Sequence, residues 1–294
     1  MLAGKLIGLV SFGDIRYRRS LNRVIEQAHA SCFFDFVSVY SELDLPSDYI
    51  KRQQGRMTTR VRGFGFWCWK PFVLMETIRR HPEVDIVFYS DAGTHIRREG
   101  RARMLQYVGL LDDSKHDILS FCASLSNCIL PKEWSPLTGR FNVYKPYEYM
   151  EFAWTKGDMF HHFGIDDKGH THAQTPQLAG GLFALKNTPA IREMLQQWIE
   201  LTEECPHLFD DEPSVTKNFS GFIEHRHDQS YFSLLAKSKG HVPLSSFECW
   251  YPVQHKSDWN ILKSSPFQFR RERKKSKIWW RFVKAWKKYQ ARNL

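Results

Sequence analysis

The sequence predicts an α/β fold, and three observations carry that expectation. Ile86-Val87-Phe88-Tyr89 is a near-continuous apolar run followed at once by Ser90 and Asp91, as in a strand covered on both faces of a sheet. Lys5–Ser11, Ser20–Ala30 and Phe36–Tyr40 read in order as strand, amphipathic helix and strand. This is the β-α-β unit that opens nucleotide-binding α/β domains. With 42% hydrophobic and 25% charged residues in a chain of 294, the protein is globular and long enough for one large α/β domain or two small ones.

The remaining elements follow in order. Phe12-Gly13-Asp14 turns out of the first strand, and the first helix carries Leu21, Val24, Ile25 and Ala28 on one face. Ser41–Gln54 is polar and reads as irregular. Two Phe and two Trp lie within Gly63–Trp69, and Pro71 suits the first turn of a helix running to Arg80. These aromatics could plug one end of the core, a role compatible with also lining a site. Arg62 and Lys70 bracket the loop as candidate phosphate-holding cations. Arg98–Leu111 reads as a helix, Asp117–Phe121 as a buried strand, residues 123–147 as loop and Glu148–Phe163 as a helix. The histidines 161, 162, 170 and 172 lack Cys or carboxylate at fixed offsets and fit a surface loop better than a metal site. Gln177–Asn187 is a strand whose start, Ala179-Gly180-Gly181, is stripped of side chains; glycine in a strand marks close approach by a ligand or another backbone. Thr188 caps a helix with Pro189 at its first position. Asp228 suits the N-cap of a helix carrying Tyr231, Phe232, Leu234 and Leu235, and Val242–Tyr251 reads as extended.

Charge and cysteine usage narrow the function classes. The net charge of +10 sits entirely between Arg270 and Leu294, and the rest of the chain has equal numbers of acidic and basic residues. A neutral body argues against a long polyanion such as nucleic acid as the main partner. The six cysteines contain no CxxC pair and read as reduced thiols of a cytoplasmic protein. No apolar run reaches the roughly 18 residues of a membrane span. Leu6–Phe12 is too short for a signal sequence and has no cleavage site after it.

The ordered set Arg62–Pro71, the strand into Asp91-Ala92-Gly93, Ala179-Gly180-Gly181 and Asp228-Gln229 resembles the nucleotide-sugar glycosyltransferases of the GT-A fold. It is most similar to the family-8-like and bacterial capsule or lipopolysaccharide-type enzymes. The resemblance covers roughly residues 5 to 260 and implies a single GT-A-type (Rossmann-like) domain with a mixed central sheet over 1–265. It also implies transfer of a sugar, with retention, from a nucleotide-diphosphate sugar to a cell-surface glycan or lipid-linked acceptor. Asp91 falls on the first position of the family's Asp-x-Asp motif, which holds ribose and a divalent metal; the second position is Gly93. The implied donor-binding set is Phe12, Asp14, Arg62, Trp69, Lys70, Asp91, Gly93, Ala179, Gly180 and Gly181. Asp228 and Gln229 would line the reaction centre. Asp91 and His255, the latter near Trp259, would hold Mn²⁺ or Mg²⁺, which favour oxygen ligands, Mn²⁺ also accepting His.

Two rival readings remain at this level. His225, His227 and Asp228 could form a metal-dependent hydrolase site. The basic, aromatic tail (residues 266–294) could make the chain a membrane- or nucleic-acid-binding module. Within the tail, Ser276–Arg292 wound at about 100° per residue places Trp279, Phe282, Val283, Trp286 and Tyr289 on one face and Lys277, Arg281, Lys284, Lys288 and Arg292 on the other. Such an amphipathic helix lies on an anionic membrane surface, here the inner face of the cell membrane, beside a lipid-linked acceptor.

Overall fold

The computed structural model describes residues 1–125, 128–131, 149–166, 171–250 and 262–269. Strands are β1 (Ile7–Phe12), β2 (Phe36–Tyr40), β3 (Ile86–Ser90), β4 (Thr94–Ile96), β5 (Ile118–Cys122), β6 (Leu178–Lys186), β7 (Val242–Ser245) and β8 (Phe267–Phe269). Helices are α1 (Arg18–Ser31), α2 (Ser47–Arg52), α3 (Gly63–Phe66), α4 (Lys70–Arg80), α5 (Arg101–Asp112), α6 (Glu151–Trp154), α7 (Gly157–His162), α8 (Pro189–Glu204) and α9 (Asp228–Lys239). The expected α/β class with a mixed central sheet is observed. The six strands run in the order β2-β1-β3-β6-β5-β7. β1 pairs in parallel with β2 and β3, and β5 with β7, while β6 is antiparallel to both its neighbours.

This topology places the carboxyl ends of β3, β5 and β7 beside the amino end of β6. Open α/β sheets bind ligands at that rim. β3 is fully buried, and one apolar layer covers each face of the sheet. One layer packs Leu74, Leu195, Trp198 and Phe232 from α4, α8 and α9. The other packs Val24, Tyr107 and Phe267 from α1, α5 and β8. β4 and β8 form a separate antiparallel pair. Phe267 is fully buried and stacks on Phe88, so the body extends to Phe269, past the boundary expected after residue 265.

Several local expectations are revised. Ser41–Gln54 is not irregular: Ser41 and Asp44 form a capping box on a short turn, and α2 follows. The helix expected over Glu148–Phe163 is two short helices broken at Thr155 and Lys156. The backbone is extended at both residues, and Glu151, fully buried, binds Thr155, Gln177, Ser233 and Lys237. Asp228 is not the N-cap of its helix; His227 is, and it makes no side-chain cap bond. The two rings expected near the donor, Phe12 and Trp69, stack on each other at 3.9 Å and are both buried. The candidate residues His255 and Trp259, His170 and the tail helix Ser276–Arg292 lie outside the described residues.

Candidate functional site

Five of the expected site residues, Asp91, Gly93, Ala179, Gly181 and Gln229, line one cleft of about 330 Å³. They arrive from three sequence-distant stretches because β3 and β6 run antiparallel, with Ser90 opposite Leu182. The Asp91 N–H continues that ladder by donating to the Gly181 carbonyl at 2.9 Å. The Asp91 carboxylate accepts from the Tyr89 hydroxyl at 2.7 Å. Burial raises the Tyr89 phenol well above its ordinary value, so it stays a neutral donor.

The two glycines of β6 are required by their neighbours. A Cβ on Gly181 would stand 2.6 Å from Asp91 Oδ2, and one on Gly180 would stand 2.8 Å from Gln229 Cβ and 3.0 Å from its Cα. Both side-chain deletions let a functional group lie against the strand. Gly93 differs: its φ is not positive and a Cβ there meets nothing within 4 Å. Neither the backbone nor its neighbours demand glycine at the second position of the acidic motif.

Asp228 sits beneath the cleft rather than in its lining. Its carboxylate pairs with Lys70, whose Nζ also donates to the Gly180 carbonyl at 2.7 Å. Both side chains are almost wholly buried. Burial pushes the Asp228 carboxyl up to about 6 against the opposing pull of Lys70, with Asp91 adding a smaller upward push. The Lys70 ammonium also lies 4.6 Å from the Tyr89 ring centre. One polar chain therefore joins Asp91, Tyr89, Lys70 and Asp228. Lys70 is committed inside the protein and is not a cation free for phosphate. Arg62, its expected companion, binds Glu224 at 2.6 Å at the surface. Asp14, also expected near the donor, is buried, pairs with Arg16 and caps the turn after β1.

The aromatic loop acts on the site from behind. Cα geometry at His227, φ 53° and ψ −122°, is a conformation disfavoured for a residue with a Cβ. The ring is held there by a hydrogen bond with the Phe209 carbonyl and by packing on Phe66 and Trp67. Those two residues and Phe64 themselves lie at positive φ, as do Gly63 and Gly65. The loop thus fixes the backbone turn that delivers Asp228 and Gln229.

The same contacts remove the geometry of a His225–His227–Asp228 metal site. His225 Nδ1 accepts from the Lys156 N–H and its Nε2 is bound to the Leu208 carbonyl. Asp228 faces Lys70, and among the described residues no three His, Cys, Asp or Glu side chains gather as a metal site would need. As a partner for Mn²⁺ or Mg²⁺, the cleft offers the Asp91 carboxylate; one carboxylate completed by substrate phosphates and water suits Mg²⁺.

Sequence reasoning missed several lining residues. Gln177 accepts from Gln229 Nε2 at 2.8 Å and donates to Glu151 at 2.9 Å, which orients the Gln229 amide. Tyr149, Trp154, Arg226, Ser246 and Trp250 complete the far wall. Arg226 stood in the Glu224–Ser230 cluster, and its position two residues before Asp228 was the available signal. The aromatics gave none, since their spacing is as good for a core as for a cleft.

No protein-family model and no curated protein matches the chain. Among solved structures it is similar to a glycosyltransferase involved in glycosylation of the major capsid of PBCV-1 (9% identity, TM-score 0.47, 91% of this chain and 94% of that one). It is also similar to the apo form of the glycosyltransferase GlyE of Streptococcus pneumoniae TIGR4 (14%, 0.43, 94% of this chain and 60% of that one). A third likeness is to apo mouse xyloside xylosyltransferase 1 (10%, 0.42, 90% and 98%). All three likenesses are loose.

Proposed function

We propose that the chain is a GT-A-type glycosyltransferase that moves a sugar from a nucleotide-diphosphate sugar to a glycan or lipid-linked acceptor. The observation supporting this reading is the convergence of Asp91, Gly181 and Gln229 on one cleft at the strand ends. The bond from the anomeric carbon to the diphosphate breaks, the nucleoside diphosphate leaves, and the acceptor hydroxyl oxygen bonds to that carbon as it gives up its proton. The chain's own residues then bind and orient. Asp91 is held by Tyr89 for the donor end, and the Gln177-ordered Gln229 amide faces the sugar. Mn²⁺ or Mg²⁺ held by Asp91, with His255 as a second proposed ligand, would neutralise charge on the leaving diphosphate.

The test is thermal denaturation with nucleoside diphosphates and nucleotide sugars, with and without Mn²⁺, on the wild type and His255→Ala. A ligand at 100 times its Kd should add about 2.7 kcal/mol of stability. Absence of any shift together with absence of donor hydrolysis would discard the transferase reading. An unchanged Mn²⁺ response in His255→Ala would remove that residue from the site.

The membrane anchor proposed for Ser276–Arg292 is separable. Each cation near an anionic surface contributes about 1 kcal/mol, so the tail supports reversible docking. Full-length protein is expected to co-sediment with anionic vesicles and to be released by salt. A chain ending at Phe269, which keeps β8, would exclude the tail as the anchor if it bound equally well. Among the described residues no helix is long and apolar enough to cross a membrane.

A further inference from the structure

We infer that Glu151 is a positioning residue for the cleft: through Gln177 it fixes which end of the Gln229 amide meets a ligand, and so makes Gln229 an acceptor for a hydroxyl of the bound sugar. The inference rests on the transferase reading and names the sugar group that the cleft reads.

The relay starts from a carboxylate that only accepts. Glu151 is fully buried, and both of its oxygens are filled. Its Oε1 takes the Thr155 hydroxyl at 2.6 Å and Gln177 Nε2 at 2.9 Å. Its Oε2 takes the Lys237 ammonium at 2.6 Å and the Ser233 hydroxyl. Ser233 and Lys237 stand one turn apart on α9 and so share a face. The backbone holds Glu151 and Gln177 together: the Glu151 N–H donates to the Thr175 carbonyl at 2.9 Å, and the Gln177 N–H to the Tyr149 carbonyl at 2.8 Å.

Gln177 therefore has one way round. The hydroxyls of Thr155 and Ser230 spend their protons on Glu151 and on the Trp154 carbonyl. Toward Gln177 Nε2 they too only accept, at 3.1 and 3.2 Å. Turned over, Gln177 would set its carbonyl against a carboxylate and two hydroxyl lone pairs. Its Oε1 is left to accept from Gln229 Nε2 at 2.8 Å. Turning Gln229 over would in the same way set two carbonyls together. Each amide takes its direction from Glu151.

What reaches the cleft follows from that direction. Gln229 is half-buried, lines the cleft with Asp91, and its Oε1 has no hydrogen-bond partner among the described residues. Gly180 sets how closely the side chain lies on β6, since a Cβ there would stand 2.8 Å from Gln229 Cβ. A group that meets Gln229 Oε1 has to donate. A sugar hydroxyl does so; a deoxygenated or etherified position does not.

The experiment uses the full chain and calorimetric titration of UDP-glucose, UDP-galactose and GDP-mannose in Mn²⁺. Each is compared with analogues in which one ring hydroxyl at a time is replaced by fluorine, which is polar but cannot donate. Every affinity is divided by that for free UDP or GDP, so a general loss of fold cancels. For the tightest-binding sugar, fluorine at one position is expected to weaken binding roughly tenfold, the effect of an acceptor left unpaired. Gln177→Met cuts the relay without stranding a charge, because Lys237 stays on Glu151, and should erase most of that preference. Gln229→Met should erase it as well, and the double variant should lose no more than Gln229→Met alone, because the two amides act as one unit. Glu151→Gln alone would strand the buried Lys237, so it is combined with Lys237→Met. An amide at that position can face Gln177 with either end, and the preference should fall again. A preference that survives Gln177→Met, or fluorinated and parent sugars that bind alike at every position, overturns this inference and leaves the transferase reading. A chain that binds no nucleotide and no nucleotide sugar loses the transferase reading and this inference with it.

Discussion

Lys70→Met is expected to lower the melting temperature by on the order of 10 °C, and adding Asp228→Leu to recover at least half of that loss. The reason is the burial of both charges. Removing one partner strands the other without water, at about 3–5 kcal/mol. Replacing both by apolar side chains of similar shape removes that term and leaves the Gly180 carbonyl short of one donor. The pair also separates chemistry from architecture. If Asp228 serves the reaction, the double variant regains stability and stays inactive. Turnover that returns with stability would make the pair purely structural.

The same carboxyl gives a pH signature with a definite sign. Its folded value of about 6 lies above the ordinary 3.8. Its contribution to stability is therefore full below about pH 4 and is lost as pH rises through 6. His225, His227 and His241 act in the opposite direction, since burial lowers all three. Their contribution is present above their unfolded value near 6.5 and is lost as pH falls. The Asp228 term is isolated as the difference between wild-type and double-variant stability from pH 4 to 7. A difference flat with pH across that window would contradict the raised value.

Much of the fold was legible because strand signals were strong where burial is strongest. Ile86–Tyr89 reads as a two-face-buried strand and is one; the β-α-β opening holds through β1, α1 and β2. Gly180 and Gly181 announced close approach, and each is pressed by a named side chain. What the one-dimensional pattern could not carry was direction. Lys70 and Trp69 are consecutive in sequence, yet one enters the polar chain under the cleft and the other stacks on Phe12. Asp228 has the residue type of a cap, but the positive φ of His227 turns it inward to Lys70. The far wall needed tertiary structure altogether. Trp154 and Arg226 are 72 positions apart and meet because the segment 223–226 hydrogen-bonds along Ala153 and Trp154.

Asp91→Asn should keep the fold and lose turnover by roughly 10²-fold or more, the effect of removing one charge from a preorganised electrostatic site. The substitution conserves shape, so the contact with Gly181 survives and the backbone ladder is untouched. An amide oxygen can still accept from Tyr89 if it takes the Oδ1 position, which orients the amide nitrogen toward Gly181. What is lost is negative charge at the end of β3, and with it the ligand offered to a divalent cation. The kinetic form of the loss is diagnostic. If Asp91 orients the donor through metal, the nucleotide-sugar Kd should weaken in Mn²⁺ and change little without it. If it acts only as the reaction proceeds, kcat falls while donor binding holds. Near-normal transfer by a folded Asp91→Asn protein would remove Asp91 from the chemistry and leave its pairing with Tyr89 as a strand-end support.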